Sequence, residues 1–336
     1  MLKKLLLLTA VLAFALPAMA QTGKWNVEIG AWDAQPRGQE LTYALDAYDI
    51  GLFNYQNGYG NFGIGRAYQT ELGRHIVPTF KIGYTTGDWT TWLSYSHFKK
   101  SQSGTTAGSS AIAPSIGYAW WGWDYANYGI FNSELKQNLY NLDFGRTFHP
   151  AAKWNLMLYT GLKYMKLDST ENIFYADNTG YSYNRIPPIW GNPVLTNSAK
   201  GFGLNFGLKS TFNAGRVWSF TGGAELSLTS VKNDIMRTEV VYADYFSPVT
   251  DTPAYRALLQ DNPSASLHYV TPGVKLFLET KVKFTPNWYA KLGYRFDAYK
   301  DLIRYYRSTN WQAGAFTAEA QNLTMQGFYI STGFTW

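Results

Sequence analysis

Along much of this chain, apolar and polar side chains alternate with a period of two. In residues 201–212, Phe202, Leu204, Phe206, Leu208 and Phe212 fall on one face, and Gly203, Asn205, Gly207, Lys209 and Thr211 fall on the other. Residues 218–228 repeat the pattern, with Trp218, Phe220, Ala224, Leu226 and Leu228 opposed by Ser219, Thr221, Gly223, Glu225 and Ser227. Residues 270–284 and 288–298 do the same with many more charges on the polar face. Such alternation is the signature of strands with two different surroundings. It predicts ten strands, near residues 25–33, 75–84, 89–98, 139–148, 155–167, 201–212, 218–228, 270–284, 288–298 and 323–336. Residues 41–45 and 61–67 are candidates for two more, which would raise the count to twelve.

The connections alternate in length. Thr85-Thr86-Gly87-Asp88, residues 149–154, Asn213-Ala214-Gly215-Arg216 and Thr285-Pro286-Asn287 have the chemistry of tight turns. The others are predicted to be long loops. Within one of these, Thr252 and Pro253 suit the start of a short helix through Leu259. Pro78 and Pro272, each followed three residues later by an inward Lys, predict a bulge or the end of regular pairing.

The N-terminus decides which two surroundings the strands have. Lys3 and Lys4 precede an apolar run over residues 5–16, and Pro17-Ala18-Met19-Ala20 supplies a signal-peptidase pattern. The expectation is a signal peptide over residues 1–20, cleaved after Ala20, and a single domain over residues 21–336. Removing Lys3 and Lys4 lowers the net charge from +6 to +4. No later segment has the roughly 18 successive apolar residues of a membrane helix. An exported chain with alternating strands of about nine to eleven residues fits an all-β, antiparallel up-and-down transmembrane barrel in a bacterial outer membrane. Short turns then face the periplasm and long loops face outward. Composition agrees: 18% of residues are aromatic and only 15% are charged.

Strand parity places Glu28, Lys81, Asp143, Lys163, Lys209, Glu225, Lys275, Glu279, Lys281, Lys283, Lys291, Arg295 and Asp297 on the lumen-lining face. Arg146 and Lys166 fall on the lipid parity, towards strand ends. The inward set is net basic, which favours anions if the lumen is open; in a narrow barrel the same groups would instead form a satisfied ion-pair network. Phe328, Ile330, Phe334 and the terminal Trp336 share the lipid parity and look like the C-terminal signal read by the barrel-assembly machinery.

Other chemistry is poorly supported. The chain has no cysteine, so thiolate metal sites, disulfides and Cys nucleophiles are excluded, and no spacing suggests a metal or cofactor. His75, His97, His149 and His268 lie in none of the contexts used by phospholipase or protease barrels, so no enzyme activity is predicted. The dispersed charge gives no reason to expect nucleic acid. Basic residues at loop ends, namely Lys99, Lys100, Lys166, Arg304 and Arg307, suit lipopolysaccharide phosphates. The rings over residues 118–131 and 181–190 suit a surface ligand.

The order Trp25-Asn-Val-Glu-Ile-Gly-Ala-Trp32, Glu40-Leu-Thr-Tyr-Ala-Leu45, Phe80-Lys-Ile-Gly-Tyr84 and residues 89–98 resembles the Legionella-type major outer-membrane protein family of pore-forming barrels. The resemblance implies porin-like passive diffusion of small solutes or ions. Members of that family use cysteines, so no disulfide-linked oligomer carries over, though a homo-oligomer of another kind stays compatible. The alternative to a channel is a closed barrel whose outer loops recognise a ligand or partner. Ten tightly filled strands would favour the closed barrel, and twelve or more around an open lumen would favour the channel.

Overall fold

A computed structural model of the chain describes residues 23–38, 42–53, 60–114, 126–176, 189–246, 253–310 and 315–336. The signal-peptide segment and most of the two ring-rich stretches lie outside the described residues. Fourteen strands are present among them: β1 (Lys24–Arg37), β2 (Thr42–Phe53), β3 (Gly60–Gln69), β4 (His75–Thr86), β5 (Trp89–Pro114), β6 (Ala126–Ala151), β7 (Trp154–Ala176), β8 (Ile189–Gly191), β9 (Val194–Ala214), β10 (Trp218–Phe246), β11 (Pro253–Asp261), β12 (Ser264–Lys283), β13 (Trp288–Asn310) and β14 (Ala315–Thr335).

Ten of these close a ring in the order β1, β4, β5, β6, β7, β9, β10, β12, β13, β14, and back to β1, with every neighbour antiparallel. They are the ten strands that the alternation predicts. The ring shuts on a reciprocal pair of backbone bonds: Trp25 N–H donates to Trp336 O at 2.9 Å and Trp336 N–H donates to Trp25 O at 3.0 Å. Closure pairs the ring strands on both sides at the lipid level, which a β-structure in lipid requires.

The tight turns gather at one end. Gly87 and Gly215 adopt φ of 55° and 89° there, a region open to glycine and costly for most residues. In the turn before β13, Thr285 Oγ1 accepts from the Trp288 amide at 2.9 Å.

The other end corrects three expectations. First, much of what reads as long loops is strand continuing past the membrane. The 29 residues of β10 rise roughly 70 Å at about 3.3 Å per residue and a tilt near 40°, against roughly 25 Å for a lipid-facing band. Second, β2 and β3 form a hairpin whose strand pairing with the ring, among the described residues, is a short ladder to the outer end of β5, so they add no barrel strands and the ring stays at ten. Third, Pro253–Asp261 is the strand β11, not a helix; the extended edge of β10 offers it a ladder from Glu239 to Phe246, and that pairing outweighs the local helix-start pattern.

The prolines mark the end of pairing without a bulge. Pro78 faces Ala31 in regular register, and the β4–β5 ladder begins at the next residue, Thr79. Pro272 faces Leu228 in regular register, and the β12–β13 ladder begins at Gly273. Each missing N–H therefore falls where no partner is waiting.

Candidate functional site

The alternation continues along the ring strands past the lipid level, with a register break in β13 between Tyr299 and Ile303, but its polarity reverses partway up. On β10 the outward residues run Trp218, Phe220, Ala224, Leu226, Leu228 and then Ser230, Lys232, Asp234. Its buried inward residues run Ser219, Thr221, Glu225, Ser227, Thr229 and then Val231, Asn233, Ile235. The same change falls between Tyr164 and Lys166 on β7, Phe202 and Lys200 on β9, Val270 and His268 on β12, and Phe328 and Gln326 on β14. On the turn side of this boundary the barrel shows apolar groups outward; Leu278 is 70% exposed and Ile29 is 61% exposed. Those positions stand against lipid tails. Beyond the boundary the surroundings are water, and the apolar residues turn inward.

The inverted outer half has a core. Trp32, Val77, Phe98, Leu135, Met165, Leu167, Ala199, Val231, Leu302, Ile303, Leu323 and Met325 belong to one buried cluster, with Tyr269 packed against it. Every ring strand contributes to this layer. Leu135, Met165, Leu167, Leu302 and Leu323 are completely inaccessible. The layer fills the lumen, and Ser133 with Glu171 and Arg237 with Glu239 bury polar pairs within the same outer half.

Below the layer lies a chamber of about 510 Å³ lined by Glu28, Lys81, Asp143, Lys209, Glu225, Lys275, Glu279, Lys281, Lys291 and Arg295, together with Lys24 at the turn-side end. Ten of the thirteen residues placed on the lumen by parity thus meet around one space. Lys163 and Asp297 sit behind the lining: Lys163 is 3.3 Å from Glu225, and Asp297 receives the Arg295 guanidinium. Lys283 is corrected. It shares the inward parity, but its position in β12 is at the turn end, where it is exposed to solvent.

The charges form two linked groups. Glu225 accepts from Lys275 and Tyr159 and faces Lys163, whose ammonium also donates to Ser227 at 3.1 Å. Lys291 bridges Glu28 at 2.7 Å and Glu279 at 3.5 Å, and Glu279 also faces Lys209 at 3.5 Å and accepts from Tyr329. Two lysines meet rings instead. Lys81 lies 4.5 Å from the Trp92 ring centre, and Lys281 lies 3.6 Å from that of Tyr289. Arg295 stacks 4.3 Å over Trp32, at the floor of the apolar layer.

The inward aromatics Trp32, Trp92, Tyr159, Tyr289 and Tyr329 escaped the sequence reading, which assigned rings to the lipid face. Their parity matched Glu28, Lys291 and the other inward groups and was the available signal. Arg146, on the lipid parity, lies over the Trp89 and Phe148 rings at the turn-side rim. The histidines are dispersed: His75 packs edge-on to Phe98, His97 bonds Asn138, and His149 lies 3.4 Å from Asp88 at a turn. Phe328, Ile330 and Phe334 on β14, and Trp336 just after it, are all exposed on the outside.

No family model matches the chain, and no curated protein does. Solved structures do. The outer-membrane protease OmpT of Escherichia coli is 9% identical, with 93% of this chain and 97% of that chain covered and a TM-score of 0.48. The translocator domain of the autotransporter NalP of Neisseria meningitidis is 9% identical over 99% of this chain and 95% of that chain, with a TM-score of 0.36. The P. putida toluene transporter TodX is 8% identical over 95% and 91%, with a TM-score of 0.30. The fold assignment rests on the closed ring itself.

Proposed function

We propose that this protein is a closed barrel of the bacterial outer membrane that carries a strand-built platform to the cell surface, where it recognises a ligand or partner. The observation that carries this reading is the apolar layer. Side chains from all ten ring strands fill the lumen above the charged chamber, so a hydrated solute would have to displace a packed core. The ten-stranded ring favours this reading over the diffusion channel. No reaction is assigned to it.

Export through the N-terminal segment, with cleavage after Ala20, belongs to the same reading and is supported by the tripartite sequence pattern. Delivery to the barrel-assembly machinery is supported by the outward aromatic parity of the last strand. Kinship with the Legionella-type pore-forming family is supported by the order of its strand motifs; a filled lumen would be this chain's departure from that family.

One observation favours a second reading, passage of small anions. The chamber is lined by seven basic groups, the lysines at 24, 81, 209, 275, 281 and 291 with Arg295, against the four carboxylates of Glu28, Asp143, Glu225 and Glu279. Planar-bilayer recording of the purified, refolded protein separates the two readings. The closed barrel gives no resolvable current; stable, anion-selective unitary steps would overturn it in favour of the channel.

A further inference from the structure

The outer face of the barrel carries a second feature, independent of the lumen. Just above the lipid boundary, Lys166 faces Lys200 across the β7–β9 ladder, and Lys200 faces Lys232 across the β9–β10 ladder. Neighbouring strands lie about 4.8 Å apart, so three ammonium-bearing side chains rise from one row roughly 10 Å wide. Like charges directly opposite one another destabilise a sheet. Lys166 and Lys232 are each relieved by a carboxylate one step higher, Asp168 at 3.0 Å and Asp234 at 3.5 Å. Lys200, between them, has no ion pair among the described residues.

The row sits directly over rings and aliphatic groups that face lipid. Tyr164 lies below Lys166 and faces Phe202, which lies below Lys200; Phe202 and Leu204 are both about half exposed. The opposite wall differs. At the same height β1 and β14 present Gln35 facing Gln326, and Asp33 is matched by Arg74 at 3.2 Å. Basic side chains therefore stand three abreast on the β7–β9–β10 wall, where a lipid headgroup begins, whereas Arg74 and the exposed Lys300 of β13 stand singly elsewhere on the ring.

We infer that the Lys166–Lys200–Lys232 row is a binding site for the phosphate groups of a phosphorylated glycolipid of the outer leaflet, with the acyl chains lying along Phe202 and Leu204. The inference rests on the outer-membrane reading but not on whether the lumen is closed. Lysines at a membrane surface each add about 1 kcal/mol toward anionic lipid, so removing all three corresponds to roughly a hundredfold loss of affinity.

The test titrates the purified barrel in detergent with bisphosphorylated lipid A, with the same lipid after dephosphorylation, and with inorganic phosphate, counting bound molecules by native mass spectrometry. The expected result is tight uptake of lipid A by the wild-type protein and weak uptake of the other two probes. Affinity should fall about a hundredfold in Lys166→Gln/Lys200→Gln/Lys232→Gln and several-fold in Lys200→Gln, with recovery in Lys200→Arg. The single Lys200 variants decide the matter should the triple variant fold poorly. Unchanged lipid A binding in the variants, equal binding of the dephosphorylated lipid, or equal loss on removing Arg74 and Lys300 instead would each overturn the assignment. Inorganic phosphate binding as tightly as lipid A would also overturn it, by pointing to a free-anion site. Current recorded from the same protein bears on the closed-barrel reading alone and leaves these outcomes unaltered.

Discussion

Leu167→Ala and Leu204→Ala remove the same atoms from neighbouring strands, one from the apolar layer and one from the lipid face. Leu167 is completely inaccessible in the outer lumen, and Leu204 is 48% exposed on the outside of the belt. Each substitution deletes three carbons, a transfer loss of about 2 kcal/mol at roughly 0.8 kcal/mol per carbon. At Leu204 lipid tails close over the gap and the transfer loss is the whole effect. At Leu167 the surrounding side chains are held by the closed ring, so a cavity remains; at about 24 cal/mol per Å³, a residual void of roughly 80 Å³ adds about 2 kcal/mol. The expected costs are therefore about 4 kcal/mol for Leu167→Ala and about 2 kcal/mol for Leu204→Ala. Reversible denaturant unfolding of the barrel in phospholipid vesicles measures both. Equal costs at the two positions would refute the claim that the outer half is packed as a protein interior.

Two other substitutions test the membrane-level and closing parts of the structure. Glu225→Gln leaves Lys163, which is 3% exposed, and Lys275 without their shared carboxylate, and should cost about 3–5 kcal/mol in the same unfolding assay. Adding Lys163→Met should restore part of that loss; a single variant as stable as the wild type would mean that the chamber is solvated well enough to need no pairing. Gly327→Ala would place a Cβ 1.7 Å from the Asp33 carbonyl oxygen, in the ladder that closes the ring, where Trp32 Nε1–H also donates to Gly327 O at 3.2 Å. Because the obstructing atom is backbone, the variant should lose at least 2 kcal/mol, of the order of an overpacked core, and show slower barrel closure by heat-modifiable gel mobility. Wild-type mobility and stability would show that β1 and β14 can separate freely at that rung.

All ten ring strands were legible because the lipid-level alternation is nearly free of errors, and parity alone brought ten of the thirteen inward charges to one chamber. Their length was not. A pattern of one polarity ends where the polarity changes, so it marks β10 only as far as Leu228, immediately before Ser230 and Val231 exchange roles. Lys166 showed this most directly, since it read as a charge on the lipid face near a strand end and is instead the first outward residue above the lipid. The apolar layer was invisible for the same reason. Leu135, Ile303 and Leu323 share the inward parity that is polar at the lipid level, and nothing in a period of two says that its sign can change along one strand. β11 was hidden differently: its pattern is that of a helix start, and only the distant edge of β10 makes it a strand.

The apolar layer also bears on how the chain reaches its final state. Its members come from nine of the ten ring strands, from Trp32 near one end of the chain to Met325 near the other, with Tyr269 of β12 packed against them, so no partial sheet can assemble it. Until β14 meets β1, the outer half is an open curve with its greasy side uncovered in water, while the lower half can already shelter in lipid. The rung between Trp25 and Trp336 therefore does more than complete a wall. It turns nine locally plausible strand pairs into a single cooperative unit, in which losing any one strand dissolves the interior as well as breaching the ring.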